Sequence, residues 1–126
     1  MSGNQKIAIV KDYYQRVDDE FGLDVEESAF DVYLDSEVVF HFPNNVDTNG
    51  PDEYYALAAQ SLSDEVEAWH ILRDIKIDPN DENLVNVGYI EFSGRKQNGE
   101  TWSLPGSATY KVIGDRIVEA WLRAGS

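Results

Sequence analysis

From Val66 onward the apolar residues fall at every second position, whereas up to Leu62 they recur every third or fourth. That change of period separates a helical first half from a sheet-forming second half. Val66 to Ile77, Asn83 to Arg95, Thr101 to Ile113 and Arg116 to Arg123 read as four strands. Asp78-Pro79-Asn80-Asp81 joins the first two. Asn98-Gly99 and Gly114-Asp115 are two-residue hairpin signals, so the last three strands are expected to form an antiparallel meander.

In the first half, Ile7, Val10, Tyr14, Val17 and Phe21 make one apolar helical stripe that Gly22 ends. Asp24 and Glu27 have capping-box spacing and open a second helix, with Val25, Ala29, Val32 and Tyr33 on its buried side. Val38 to Phe42 reads as a short strand stopped by Pro43, and Asn44 to Asn49 as a polar loop. Gly50-Pro51-Asp52-Glu53 starts a third helix, because proline fits the first turn and acids suit the positive end of the helix dipole. Segregated helices and strands predict an α+β domain over residues 1–126, with helices on one sheet face.

The hairpins also predict a register. A two-residue turn at Gly114-Asp115 pairs Val112 with Ile117, Tyr110 with Glu119 and Ala108 with Trp121. One at Asn98-Gly99 pairs Tyr110 with Val87, Ala108 with Tyr89 and Gly106 with Glu91. The face expected under the helices then carries Tyr89, Tyr110, Trp121 and two carboxylates, Glu91 and Glu119. A carboxylate there must be paired, protonated or functional.

Composition narrows the partners. Of 126 residues 24 are acidic and 10 basic, a formal net charge of −14. Such a surface repels phosphate backbones and anionic lipid, so neither nucleic acid nor a membrane is expected. There is no cysteine, which excludes disulfides and thiol nucleophiles. No apolar run approaches a membrane span and Met1 to Lys6 leads straight into a helix, so a cytoplasmic location is expected.

The two histidines sit in aromatic strand-like runs, Phe40-His41-Phe42-Pro43 and Trp69-His70-Ile71. Histidine is the side chain suited to moving protons near neutral pH. Strand phase opposes both: Val38, Phe40 and Phe42 share a face that His41 lacks, and Trp69, Ile71, Ile75 and Ile77 one that His70 lacks. A bulge midway along the His70 strand would reverse its phase. No HxH or HExxH spacing supports a metal site, so none is expected, and no Walker, GxGxxG or G-x-S-x-G pattern occurs.

Four segments together resemble the nuclear-transport-factor-2-like superfamily in its SnoaL-like polyketide-cyclase branch. They are the first helix with Asp12-Tyr13-Tyr14, the run from Leu34 to Pro43, the long strand Trp69 to Ile75, and the closing hairpin Gly114 to Trp121. The resemblance implies a conical barrel, a curved mixed sheet wrapped around three N-terminal helices and an apolar pocket. It also implies a homodimer and activities that need no cofactor. In the ketosteroid-isomerase pattern the catalytic aspartate falls on Phe42 and the second acid on Ser107. The epoxide-hydrolase aspartate falls near Leu122, and the second histidine of scytalone dehydratase on Ile90. These departures argue against those three chemistries. The SnoaL-like pattern favours a histidine where His70 stands.

The expected function is therefore cofactor-free proton transfer, of lyase, isomerase or cyclase type, on a small hydrophobic molecule. His70 would move the proton, with Glu119 or Tyr14 polarising the substrate and His41 as a further candidate. Phe42, Trp69, Tyr89, Trp102, Tyr110 and Trp121 would line the pocket. The alternative is a non-catalytic ligand-binding or dimerisation module of the same fold.

Overall fold

A computed structural model describes residues 3–19, 33–61 and 64–125. The elements in chain order are α1 (Gly3–Asp19), β1 (Leu34–Phe42), a 3-10 turn (Pro43–Asn45), β2 (Val46–Asn49), α2 (Pro51–Ser61), β3 (Glu65–Asp78), β4 (Asp81–Lys96), β5 (Thr101–Ile113) and β6 (Arg116–Ala124). The expected second helix, from Asp24, lies outside the described residues. The segment 46–49, expected to be loop, instead pairs antiparallel with β1, with Phe40 opposite Thr48 and His41 opposite Asp47.

The six strands form one mixed sheet in the order β2-β1-β6-β5-β4-β3. β3 to β6 are an antiparallel meander and β1 joins β6 in parallel. The sheet is open, with β2 and β3 as edges, so the closed conical barrel is corrected to an open six-stranded sheet. Two helices are described, and both pack on one face. Val10, Tyr13 and Tyr14 of α1 and Tyr55 of α2 are buried with Val38, Phe40, Val85, Val87, Ala108, Tyr110, Val112 and Ile117 from the strands.

Three irregularities correct the expected register. The Asn98-Gly99 connection closes as a three-residue loop: the Lys96 N–H donates to the Glu100 carbonyl at 2.8 Å, and Gly99 takes φ +91, which only glycine adopts cheaply. At the other hairpin Val112 does pair with Ile117, but Lys111 then pairs with Glu119, so β6 carries one extra residue. Beyond that bulge Ala120 and Leu122 turn inward. Glu119 and Trp121, expected under the helices, turn outward with Thr109 and Lys111.

The third irregularity lies in β3 and β4 together. Leu72 pairs with Ile90 and Ile75 with Val87, all against the core side, so each strand spends two residues between successive inward positions. Asp74 sits in this gap at φ +58. Opposite it is Gly88, where a Cβ would meet an Asp74 carboxyl oxygen at 2.6 Å. Only glycine leaves room for that approach. The double bulge reverses the phase of both strands. Ile90 and Phe92 face the helices, while Tyr89 and Glu91 turn to the outer face. The bulge also turns His70 inward, because His70 lies directly opposite Phe92.

Candidate functional site

A cavity of about 320 Å³ opens between the helices and the concave sheet face. Its walls are Tyr13, Tyr14 and Val17 of α1, Tyr54, Leu57 and Ala58 of α2, and Phe40, Phe42, His70, Phe92, Tyr110 and Leu122 of the sheet. A wider depression of about 720 Å³ at the start of α2 is shallow and polar, lined by Asp35, Asp52, Glu53 and Arg116 among others. Enclosed apolar walls with a few convergent polar groups favour the first as a small-molecule site.

His70 is fixed by a residue that the strand pattern gave no reason to expect. Asp18, in the last described turn of α1, accepts the His70 backbone N–H at 3.0 Å with one carboxyl oxygen and meets Nδ1 at 2.7 Å with the other. A carboxylate at the negative end of a helix costs about 0.3–1 kcal/mol. The unpaired N–H of an edge strand and the imidazole offset that cost. An ionised carboxylate only accepts, so Nδ1 carries the hydrogen and Nε2 of the neutral ring keeps its lone pair. No partner meets Nε2 among the described residues. The ring stacks on Phe92 at 4.4 Å and lies 4.9 Å from Tyr14. The side chains of His70 and Asp18 are only 15% and 19% exposed.

The cavity's remaining polar groups are four tyrosine hydroxyls. Tyr13 donates to Tyr54 at 2.5 Å, and the Tyr14 and Tyr110 hydroxyls bond each other. Burial raises the pKa of all four, so they stay protonated at neutral pH. The Tyr14–Tyr110 pair holds two hydroxyl hydrogens and uses one internally, so among the described residues its second hydrogen is left for an oxygen atom in the cavity.

The other expected site residues are spread over the molecule. Phe42 and Tyr110 line the cavity with Tyr14 and His70. Trp102 packs edge-on against Phe92 at 4.8 Å and donates its indole N–H to Glu65 at 2.9 Å, outside the cavity wall. Trp69 is 37% exposed on the outer face, and Tyr89 lies there beneath the Arg73 guanidinium at 5.7 Å. Glu119 and His41 meet on the outer face as well. His41 Nε2 bonds Glu119 at 2.6 Å, Nδ1 bonds Asp47 at 3.0 Å, and the ring stacks on Trp121. Glu119 chiefly, with Asp47, raises the His41 pKa above its ordinary value. The two histidines thus lie on opposite faces of the sheet, and among the described residues no group of three or more His, Asp or Glu is placed to hold a metal ion. No described helix is long and apolar enough to cross a membrane.

Asp18 is the functional candidate that sequence reasoning missed. The available signal was its spacing: it stands four residues after Tyr14, hence on the same helix face.

No family model and no curated protein matches this sequence. Solved structures do match. An NTF2-like protein of unknown function from Exiguobacterium superposes with a TM-score of 0.74 at 15% identity, covering 94% of this chain and 98% of the other. A protein from Jannaschia described as a candidate SnoaL-like polyketide cyclase gives 0.70 at 14%, covering 96% and 85%. IdmH from Streptomyces antibioticus, described as a candidate polyketide cyclase, gives 0.74 at 13%, covering 95% and 91%. What this chain shares with them across nearly its whole length is the fold, which is NTF2-like and is found in SnoaL-like proteins.

Proposed function

We propose that this protein catalyses cofactor-free proton transfer on a small, uncharged, enolisable carbonyl compound bound in the aromatic cavity. Nε2 of His70 takes a proton from the carbon beside the carbonyl. Asp18 holds the tautomer that leaves Nε2 free and stabilises the imidazolium that forms. The Tyr14–Tyr110 pair donates its spare hydrogen to the developing enolate oxygen, which gains most from a donor in a dry site. The imidazolium then returns the proton to carbon or to a leaving oxygen, giving isomerisation or elimination. The observation that carries this reading is the Asp18–His70 dyad on the wall of an otherwise apolar cavity.

The test needs no knowledge of the natural substrate. In D2O, a panel of small aryl ketones should exchange their α-hydrogens faster with the protein present, as read by proton NMR. His70→Ala should slow that exchange by about 10²–10⁴-fold with the fold intact. Equal exchange by the wild type and His70→Ala would remove His70 from the role. A second reading, a binding module without chemistry, is favoured by the self-paired tyrosine hydroxyls, which already satisfy much of the cavity's polarity. It predicts tight ketone binding with no exchange.

A further inference from the structure

The cavity does not end at His70. A second, more open cavity of about 200 Å³ lies beyond it, and four residues, Tyr14, His70, Phe92 and Leu122, line both. The far side of this outer cavity is formed by Ile90, Leu104, Pro105 and Gly106, with Ser107, Arg123 and Ala124 beside them. Leu104 is opposite Phe92 in the β4–β5 ladder, hence on the same concave face, and yet is 59% exposed. The sheet here presents apolar surface that continues the wall of the inner cavity. Gly106 keeps the floor flat, since a Cβ there would lie 2.7 Å from the Arg123 carbonyl.

We infer that the outer cavity is the second half of the ligand site. The ligand would be an elongated, uncharged molecule of two linked apolar segments: one fills the inner cavity and the other lies over Leu104. Its carbonyl or enol would sit between them, at His70. The lack of charge follows from the lining. Among the described residues the inner cavity has no cationic side chain, Asp18 adds a negative charge behind His70, and Arg123 directs its guanidinium to Ser107 and Thr109 at 3.0 Å each. Ser107 and Thr109 alternate with the inward residues of β5, so that guanidinium is engaged on the outer face. Arg123 and Ser107 also line the outer cavity, but a carboxylate or phosphate would have to displace the bonds to Ser107 and Thr109 to pair with Arg123, and among the described residues the inner cavity offers it no cation. Two cavities that share walls around one imidazole suit a molecule that reacts near its middle, whereas a one-ring ligand would leave the outer half empty. Leu104 then selects for ligand length.

This inference rests on the reading of the His70 cavity as a ligand site, and the experiment separates the two. Calorimetry would compare 4-hydroxyacetophenone with 4′-hydroxychalcone, which carries the same aryl ketone extended by a styryl group. The wild type should bind the chalcone at least tenfold more tightly. Leu104→Glu should erase that advantage and leave 4-hydroxyacetophenone within twofold. Leu104→Asn, a milder change at this exposed position, should move the chalcone in the same direction, and thermal melting checks that both variants fold. Equal wild-type affinity for the two ligands, or chalcone binding that ignores both substitutions, would overturn the inference and leave the inner cavity as the site. Failure of both ligands to bind the wild type would overturn the cavity reading and this inference together.

Discussion

Two histidine–carboxylate pairs lie on opposite faces of one sheet, and they differ in what surrounds them. His70 and Asp18 are shielded between α1 and the concave face, with one ring nitrogen held and the other without a partner among the described residues. His41 is bonded at both nitrogens, to Glu119 and Asp47, with side chains about one-third exposed for His41 and Glu119. A general base needs a lone pair facing a reactant. A histidine whose two nitrogens both meet carboxylates is a charged clip, here joining β1 and β2 to β6. Chemistry therefore depends less on which residue types are present than on which face of a strand they occupy.

The contrast can be broken most directly by cutting each carboxylate. Asp18→Asn presents a donor or an acceptor to Nδ1 and no longer selects the tautomer, so α-hydrogen exchange should fall about 10–100-fold. Glu119→Gln should leave exchange unchanged. If the two substitutions slow the reaction equally, the inner dyad is not the active group and the distinction between the faces fails.

The face occupied by His70 is itself set by the Asp74–Gly88 double bulge. Gly88→Ala places a methyl group where the Asp74 carboxyl oxygen lies, and relief requires the bulge to shift. A cost of about 1–3 kcal/mol is expected in denaturant melts. The informative readout is the His70 ring: nitrogen NMR should show the Nδ1–H tautomer of the wild type giving way to a mixture as the contact with Asp18 loosens. A stable variant with an unchanged His70 tautomer would show that the strand holds its phase without the glycine.

Much of the fold was legible because long elements advertise themselves. β3 to β6 are each nine or more residues long with alternating stretches on either side of their bulges, and Pro51-Asp52-Glu53 marks the start of α2 clearly. β2 was not legible: its four residues, Val46-Asp47-Thr48-Asn49, are mostly polar and gain their structure by pairing with β1. The face assignment failed where single extra residues entered the strands. A bulge at the start of β6 turned Glu119 and Trp121 outward, and one in β4 did the same to Tyr89 and Glu91. Alternation carries no record of such an insertion, because a one-residue slip swaps every side chain beyond it. His70 shows the converse. Its phase argued against the cavity, and the Asp74 bulge reversed it. Asp18 was legible only in combination, since its place on the Tyr14 face becomes meaningful once β3 is known to lie beside α1.

The smallest expected effect belongs to the outer pair, and its sign sharpens the comparison. Bonding to Glu119 and Asp47 raises the folded-state pKa of His41 above the ordinary 6.5. The folded protein therefore holds this proton more tightly than the unfolded chain does. The resulting stability is fully present below about pH 6.5 and is lost as the pH rises through the raised folded value. A pair this exposed contributes little, so the measurement must be differential. The melting temperature of wild type minus that of His41→Gln should be positive at pH 6 and shrink toward pH 9, and Glu119→Gln should flatten that dependence. Loss of activity in His41→Gln at pH 7, with its melting curve unchanged, would instead mean that the outer histidine acts in the reaction. The two faces would then not be separable into one that reacts and one that clips strands together.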